Sequence, residues 1–155
     1  MIKFATIGCN IIIIEKYFKL FLKGSLKHYE LNTAEGMILL ALYGFNEQIE
    51  EANATQDQLI DELHYDKSVM TRSMKSLERK GYVLRKDNPK DSRSYIFNLT
   101  DKAFIFQQTL VEILKEWNDI ILVNFDDSVL NLLDTMLLKV AKNATGAVRT
   151  NNKSE

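Results

Sequence analysis

Residues 55–100 constrain this chain more than any other stretch. Thr55-Gln56-Asp57-Gln58 has the form of a capping box, in which a Thr side chain and a Gln three residues on satisfy each other's backbone N–H groups. It opens a short helix with Leu59, Ile60 and Leu63 inside. Tyr65-Asp66 reads as a turn, with Asp66 placed to cap a second helix over residues 67–80. Met70, Met74 and Leu77 recur at i, i+4 and i+7 and mark its buried stripe, and Gly81 stops it, as glycine does where the chain turns left-handed. Residues 82–86 alternate towards a strand. Asp87-Asn88-Pro89-Lys90-Asp91 is made of turn formers. Residues 93–99 return as a strand, with Tyr95, Phe97 and Leu99 expected on one face. Helix, turn, helix and hairpin therefore follow one another without a spacer.

The second helix carries chemistry on its other side. Ser68, Thr71, Arg72 and Lys75 fall at i, i+3, i+4 and i+7, opposite the Met70 stripe and close to the helix N-terminus. Backbone N–H groups and the helix dipole favour phosphate oxygens there. Arg can take the guanine edge bidentately, and Ser and Thr can bond bases or phosphates. The hairpin tip adds Lys90 and Arg93, with Asp91 two residues before Arg93 and expected to hold its guanidinium extended. A guanidinium presented in that way suits a narrow, electronegative minor groove. Between residues 66 and 93 stand nine Lys/Arg (Lys67, Arg72, Lys75, Arg79, Lys80, Arg85, Lys86, Lys90, Arg93) against four acids (Asp66, Glu78, Asp87, Asp91), a local balance of +5 in a chain of net charge −1. A near-neutral protein with one basic region points to a polyanion met through that region alone.

The flanks are helical. Ile7, Ile11, Ile14, Phe18 and Phe21 keep one apolar stripe along a first helix over about residues 6–29, and Ile12, Ile13, Tyr17 and Leu22 add a second apolar side. A helix this apolar in a 155-residue chain is expected to bury one face in its own subunit and one against a partner. Its apolar run is too short to span a bilayer and lacks a cleavage pattern, so no membrane segment is expected and the protein is read as cytoplasmic. Asn32-Thr33-Ala34-Glu35 starts a second helix ending near Gly44, and 45–54 reads as an acidic loop. Thr100-Asp101 caps a long helix, and another follows Asp126-Asp127-Ser128 with apolar residues at zipper-like spacing. Residues 143–155 lose that periodicity and read as a disordered tail.

With these pieces in place, the chain resembles the MarR family of winged helix–turn–helix regulators. The segments that carry the resemblance are TAEGMILLAL and TQDQLIDELHYDKSVMTRSMKSLERKGYVLRKDNPKDSRSYIFNLTDKA, most specifically LERKGYV, the wing NPKDSR and the strand-to-helix joint LT. The resemblance implies a mainly α fold: a winged helix–turn–helix over 33–100, N- and C-terminal dimerisation helices over 1–32 and 101–142, and one β-hairpin wing. It implies a homodimer on double-stranded DNA with a pseudo-palindromic operator. Ser68, Thr71, Arg72 and Lys75 would meet the major groove, and Lys90, Asp91 and Arg93 would form the wing contact. Ser92 stands where the family usually has a second wing arginine.

Similar regulators bind small aromatic effectors between the dimerisation helices and the winged module. The residues that would line such a pocket are Phe18, Phe21, Tyr29, Met37, Tyr43, Phe104 and Trp117. The expected function is a ligand-released repressor. The alternatives are a thiol-based peroxide sensor using Cys9, or a winged module that binds an acidic protein. Cys9 is the sole cysteine and cannot form an internal disulfide. The two histidines are too few to suggest a metal site. No nucleophile–base pairing or phosphate loop is visible, so neither an enzyme nor a cofactor is expected.

Overall fold

In the computed structural model, residues 5–48 and 54–151 are described. They form α1 (Ala5–Leu26), a single 3-10 turn (Lys27–Tyr29), α2 (Thr33–Gln48), β1 (Ala54–Thr55), α3 (Gln56–Leu63), α4 (Lys67–Arg79), β2 (Val83–Asp87), β3 (Tyr95–Leu99), α5 (Asp101–Ile121) and α6 (Asp127–Asn151). The fold is mainly helical with one small antiparallel sheet of order β1-β3-β2. The chain divides into two units after Trp117.

Local chemistry explains the element boundaries in the first unit. Asn32 caps α2: its Oδ1 accepts from the Glu35 N–H at 2.9 Å, and its own N–H donates to Glu35 Oε2 at 2.8 Å. Thr55 caps α3 in the expected reciprocal way, with Gln58 N–H to Thr55 Oγ1 at 3.2 Å and Thr55 N–H to Gln58 Oε1 at 2.8 Å. Asp66 does not cap α4 with its side chain. Its carbonyl only accepts the first intrahelical bond, from Met70. Gly81, at φ +78°, ends α4, and Tyr82 N–H reaches back to the Leu77 carbonyl at 2.9 Å.

Three features differ from expectation. Helix α2 runs through Gly44 to Gln48, because helix-compatible residues follow and Gly44 meets no obstacle. A strand at Ala54–Thr55 pairs with Phe97 and Ile96, which makes β3 the central strand. The apolar face expected of Tyr95, Phe97 and Leu99 forms in part: Phe97 is buried and Leu99 packs against the core, while Tyr95, at the start of β3, is exposed and Ile96 is buried as well. Helix α6 continues to Asn151 in place of a disordered tail from residue 143, carried by helix-forming Ala141, Ala144 and Ala147 without an apolar stripe. Most of the acidic 45–54 loop lies outside the described residues.

The core gathers Leu22 and Leu26 of α1, Ile38, Leu39 and Leu42 of α2, Leu59, the Met70–Met74–Leu77 stripe, Val83, Phe97, and Ala103, Phe106 and Leu110 of α5. The N-terminal half of α1 stays outside it: Ile7, Ile11, Ile12, Ile13, Ile14, Tyr17 and Leu20 are exposed. In the second unit, α6 exposes Val129, Leu132, Met136, Leu137, Leu138 and Val140. No helix among the described residues is long and apolar enough to cross a membrane. The added β-carbon in Gly44→Ala would meet nothing within 4 Å, so this variant is expected to raise stability by about 0.5–1 kcal/mol, read as a higher thermal midpoint.

Candidate nucleic-acid interface

Helix α4 is amphipathic in the way its spacing requires. Met70, Ser73, Met74 and Leu77 are buried, while Ser68, Arg72 and Lys75 are exposed and Thr71 is half-buried. Thr71 is tied to the preceding helix: Gln56 Nε2 donates to its Oγ1 at 2.9 Å. Four candidate residues therefore share the outward side of one well-anchored helix.

The wing is braced by its own side chains. Asn88 Nδ2 donates to Ser94 Oγ at 2.8 Å, and Asn88 Oδ1 accepts from the Lys90 N–H at 3.0 Å. Asp91 Oδ1 accepts from the Arg93 backbone N–H at 3.0 Å. That last bond corrects an expectation: Asp91 holds the backbone at Arg93 and not its guanidinium, because residues 88–94 form turns and not a continuous strand. Lys90 and Arg93 are both exposed. Arg93 shares a cleft of about 180 Å³ with Thr55, Gln56, Asp57, Lys67, Ser94 and Tyr95, which brings the wing beside the start of α4. Lys67 enters the sequence pattern only through the charge balance, since nothing local reveals that it lines a cleft with Arg93.

The basic count overstates the interface. Lys80 turns inward, its ammonium 2.8 Å from both carboxylate oxygens of Glu35 and 2.7 Å from the Glu30 carbonyl. Glu35 is fully buried. Burial alone would raise its carboxyl pKa, but hydrogen bonds from Lys80, Ser76 and the Asn32 backbone, with the Lys80 charge, outweigh it and hold the group below its usual value. Arg85 lies 4.4 Å over the Tyr95 ring and 3.9 Å from Glu78.

The seven expected pocket residues do not share one cavity. Phe18 and Phe21 tilt against Trp117 at 5.6 and 5.4 Å, and Tyr29 meets Phe106 edge-on at 5.0 Å. Phe21 and Tyr29 do line an open cleft of about 530 Å³, with Leu20, Gly24, Ser25, His28, Ile113 and Glu116. Tyr43 is core: its hydroxyl donates to the Ala103 carbonyl at 2.6 Å, and burial pushes its pKa up. Met37 is half-buried against the core, and Phe104 is exposed. Cys9 is exposed on α1 among its isoleucines. Among the described residues no three His, Cys, Asp or Glu side chains gather as metal ligands.

The sequence profile of the MarR family matches residues 29–94. The HTH-type transcriptional regulator BilQ of Clostridioides difficile (strain CD3) is 30% identical over 120 residues, spanning 77% of this chain and 75% of that protein. The chain belongs to the MarR family. A MarR transcriptional regulator from Methanosarcina mazei Go1 is 28% identical and superposes with a TM-score of 0.75 over 89% of this chain and 98% of its own. A MarR family transcriptional regulator from Listeria monocytogenes, complexed with 26mer DNA, shares the fold with a TM-score of 0.74 at 21% identity, over 88% and 87% of the two chains. The protein is thus a MarR-family transcriptional regulator whose helix–turn–helix is α3–α4 and whose wing is β2–β3. The joint read as LT has a structural reason: Thr100 Oγ1 donates to the Gly81 carbonyl at 2.7 Å and accepts from the Ala103 N–H at 3.2 Å, fastening the end of α4 to the start of α5.

Proposed function

We propose that this MarR-family protein is a homodimeric repressor that binds a pseudo-palindromic duplex operator and is released by a small aromatic effector. The observation that carries the DNA reading is the pairing of an outward Ser68–Thr71–Arg72–Lys75 face on α4 with a braced wing whose Arg93 adjoins Lys67. Helix α4 enters the major groove, and Lys90 and Arg93 reach the neighbouring minor groove while Asp91 fixes the backbone that presents Arg93. The Listeria protein of the same fold, complexed with 26mer DNA, supports DNA as the partner.

Dimerisation is supported by the two exposed apolar faces, on the N-terminal half of α1 and on α6, which a monomer would leave in water. Two reading helices related by a two-fold axis select half-sites about one helical turn apart. The cleft at Phe21, Ser25, His28, Tyr29 and Glu116 is where an aromatic effector fits, with rings to stack on and polar groups to orient it. The regulator acts in the cytoplasm, where its DNA is. The thiol-sensor alternative is disfavoured because Cys9 sits among Ile7, Ile11, Ile12 and Ile13, and stabilising a thiolate takes nearby positive charge or donors.

Arg93→Ala is expected to weaken binding to most duplexes by about 1 kcal/mol per subunit, so by about 2 kcal/mol or roughly thirtyfold for the homodimer, without changing which sequence is preferred. A gel-shift titration on operator and scrambled duplexes measures both. Unchanged affinity for both would remove the wing from the interface.

A further inference from the structure

One ammonium at the end of α4 turns inward. Lys80 Nζ donates to both oxygens of the buried Glu35 carboxylate and to the carbonyl of Glu30, which sits in the left-handed conformation that closes the 3-10 turn. The Lys80 carbonyl in turn accepts from Lys102 Nζ at 2.7 Å, and that ammonium lies 4.4 Å over the Tyr82 ring. Four segments meet at one residue: the 3-10 turn, the cap of α2, the last turn of α4 and the first turn of α5. The outward faces of α4 and the wing carry the DNA chemistry, and Lys80 lies on neither.

We infer that Lys80, seated between Glu35 and the Glu30 carbonyl, is a positioning residue that sets how α4 is presented to DNA, and that it makes no phosphate contact itself. The inference rests on the reading of α4 as the major-groove helix. A compact ammonium fits a seat of three converging oxygens. A planar guanidinium directs its donors as a fork and is longer, so arginine would not reproduce the seat. Two apolar residues of similar volume can preserve a fold that lacks a buried pair; here Glu35→Met also removes the acceptor of the Asn32 N–H, so Lys80→Arg, which keeps that cap, is the sharper variant.

The test uses the full chain with Glu35→Met/Lys80→Met together, and separately Lys80→Arg. Affinity is measured by gel shift for the duplex that the wild type selects from a random library and for a scrambled duplex, across a salt series. The expected result is a loss of about tenfold in affinity for the selected duplex in both variants. Scrambled-duplex affinity and the salt slope should stay at wild-type values. Lys80→Arg keeps the charge, so it guards against the double variant failing to fold. Wild-type affinity for the selected duplex in either folded variant overturns the inference. So does a salt slope lower by about two, one per subunit, in the double variant and restored by Lys80→Arg, which would make Lys80 a phosphate contact. A wild type that selects no duplex fails the reading of α4 itself, a result distinct from either.

Discussion

Lys80→Met is expected to destabilise the winged module by about 3 kcal/mol at pH 7, a fall in thermal midpoint of roughly 10 °C. The substitution leaves the Glu35 carboxylate, whose side chain is 1% exposed, without its cation, and removing one partner of a buried pair costs far more than a surface pair is worth. The figure sits at the low end of the range for such changes because the Lys80 side chain keeps 23% of its surface in water. The pH dependence has a definite sign. In the wild type the folded Glu35 pKa is lowered, so its contribution is complete above the unfolded carboxyl value and is lost as pH falls through the folded one. In Lys80→Met the strongest influence left is burial, which raises the pKa, so the penalty shrinks as acid protonates Glu35. The gap between the two melting temperatures should narrow from pH 7 towards pH 4. Thermal melts over that range measure it, and equal midpoints at pH 7 would show that the pair contributes nothing.

Arg72→Ala is expected to cost about 1–3 kcal/mol per half-site in specific binding and to relax base preference at one position of each half-site. Because a homodimer carries the change twice, the loss on a full operator is about double. Arg72 is exposed on α4, and arginine and alanine both suit a helix, so stability should stay within about 0.5 kcal/mol of wild type. The expected signature is therefore lost discrimination in a protein with an unchanged melting curve. Competition gel shifts against single-position operator variants read it directly. Wild-type discrimination at every position would move the reading role to Ser68, Thr71 or Lys75.

What the sequence revealed about this fold follows the reach of the interactions involved. The Thr55–Gln58 and Asn32–Glu35 boxes and the Gly81 stop were legible because each is settled within a few residues. The outward face of α4 was legible because helical periodicity fixes which residues oppose Met70, Met74 and Leu77. Lys80 was misread as part of a basic surface because its partner lies 45 residues away, and charge counting carries no direction. Asp91 was assigned to a guanidinium because a strand was assumed where the chain turns. The two-residue strand at Ala54–Thr55 is too short to leave a pattern, yet it pairs with Ile96 and Phe97 and makes β3 the central strand. The proposed pocket dispersed for a similar reason. Aromatic residues announce burial, but whether Tyr43 packs in the core and Phe104 points outward is decided by helix packing at long range.

The most direct test of the central claim is selection from a random duplex library with the purified chain at about 150 mM salt, where nonspecific phosphate attraction is screened to physiological levels. An enriched inverted repeat with half-sites about one helical turn apart is the predicted result, as expected for two α4 helices presented by a homodimer. Recovery of a pool without any enriched sequence would contradict it.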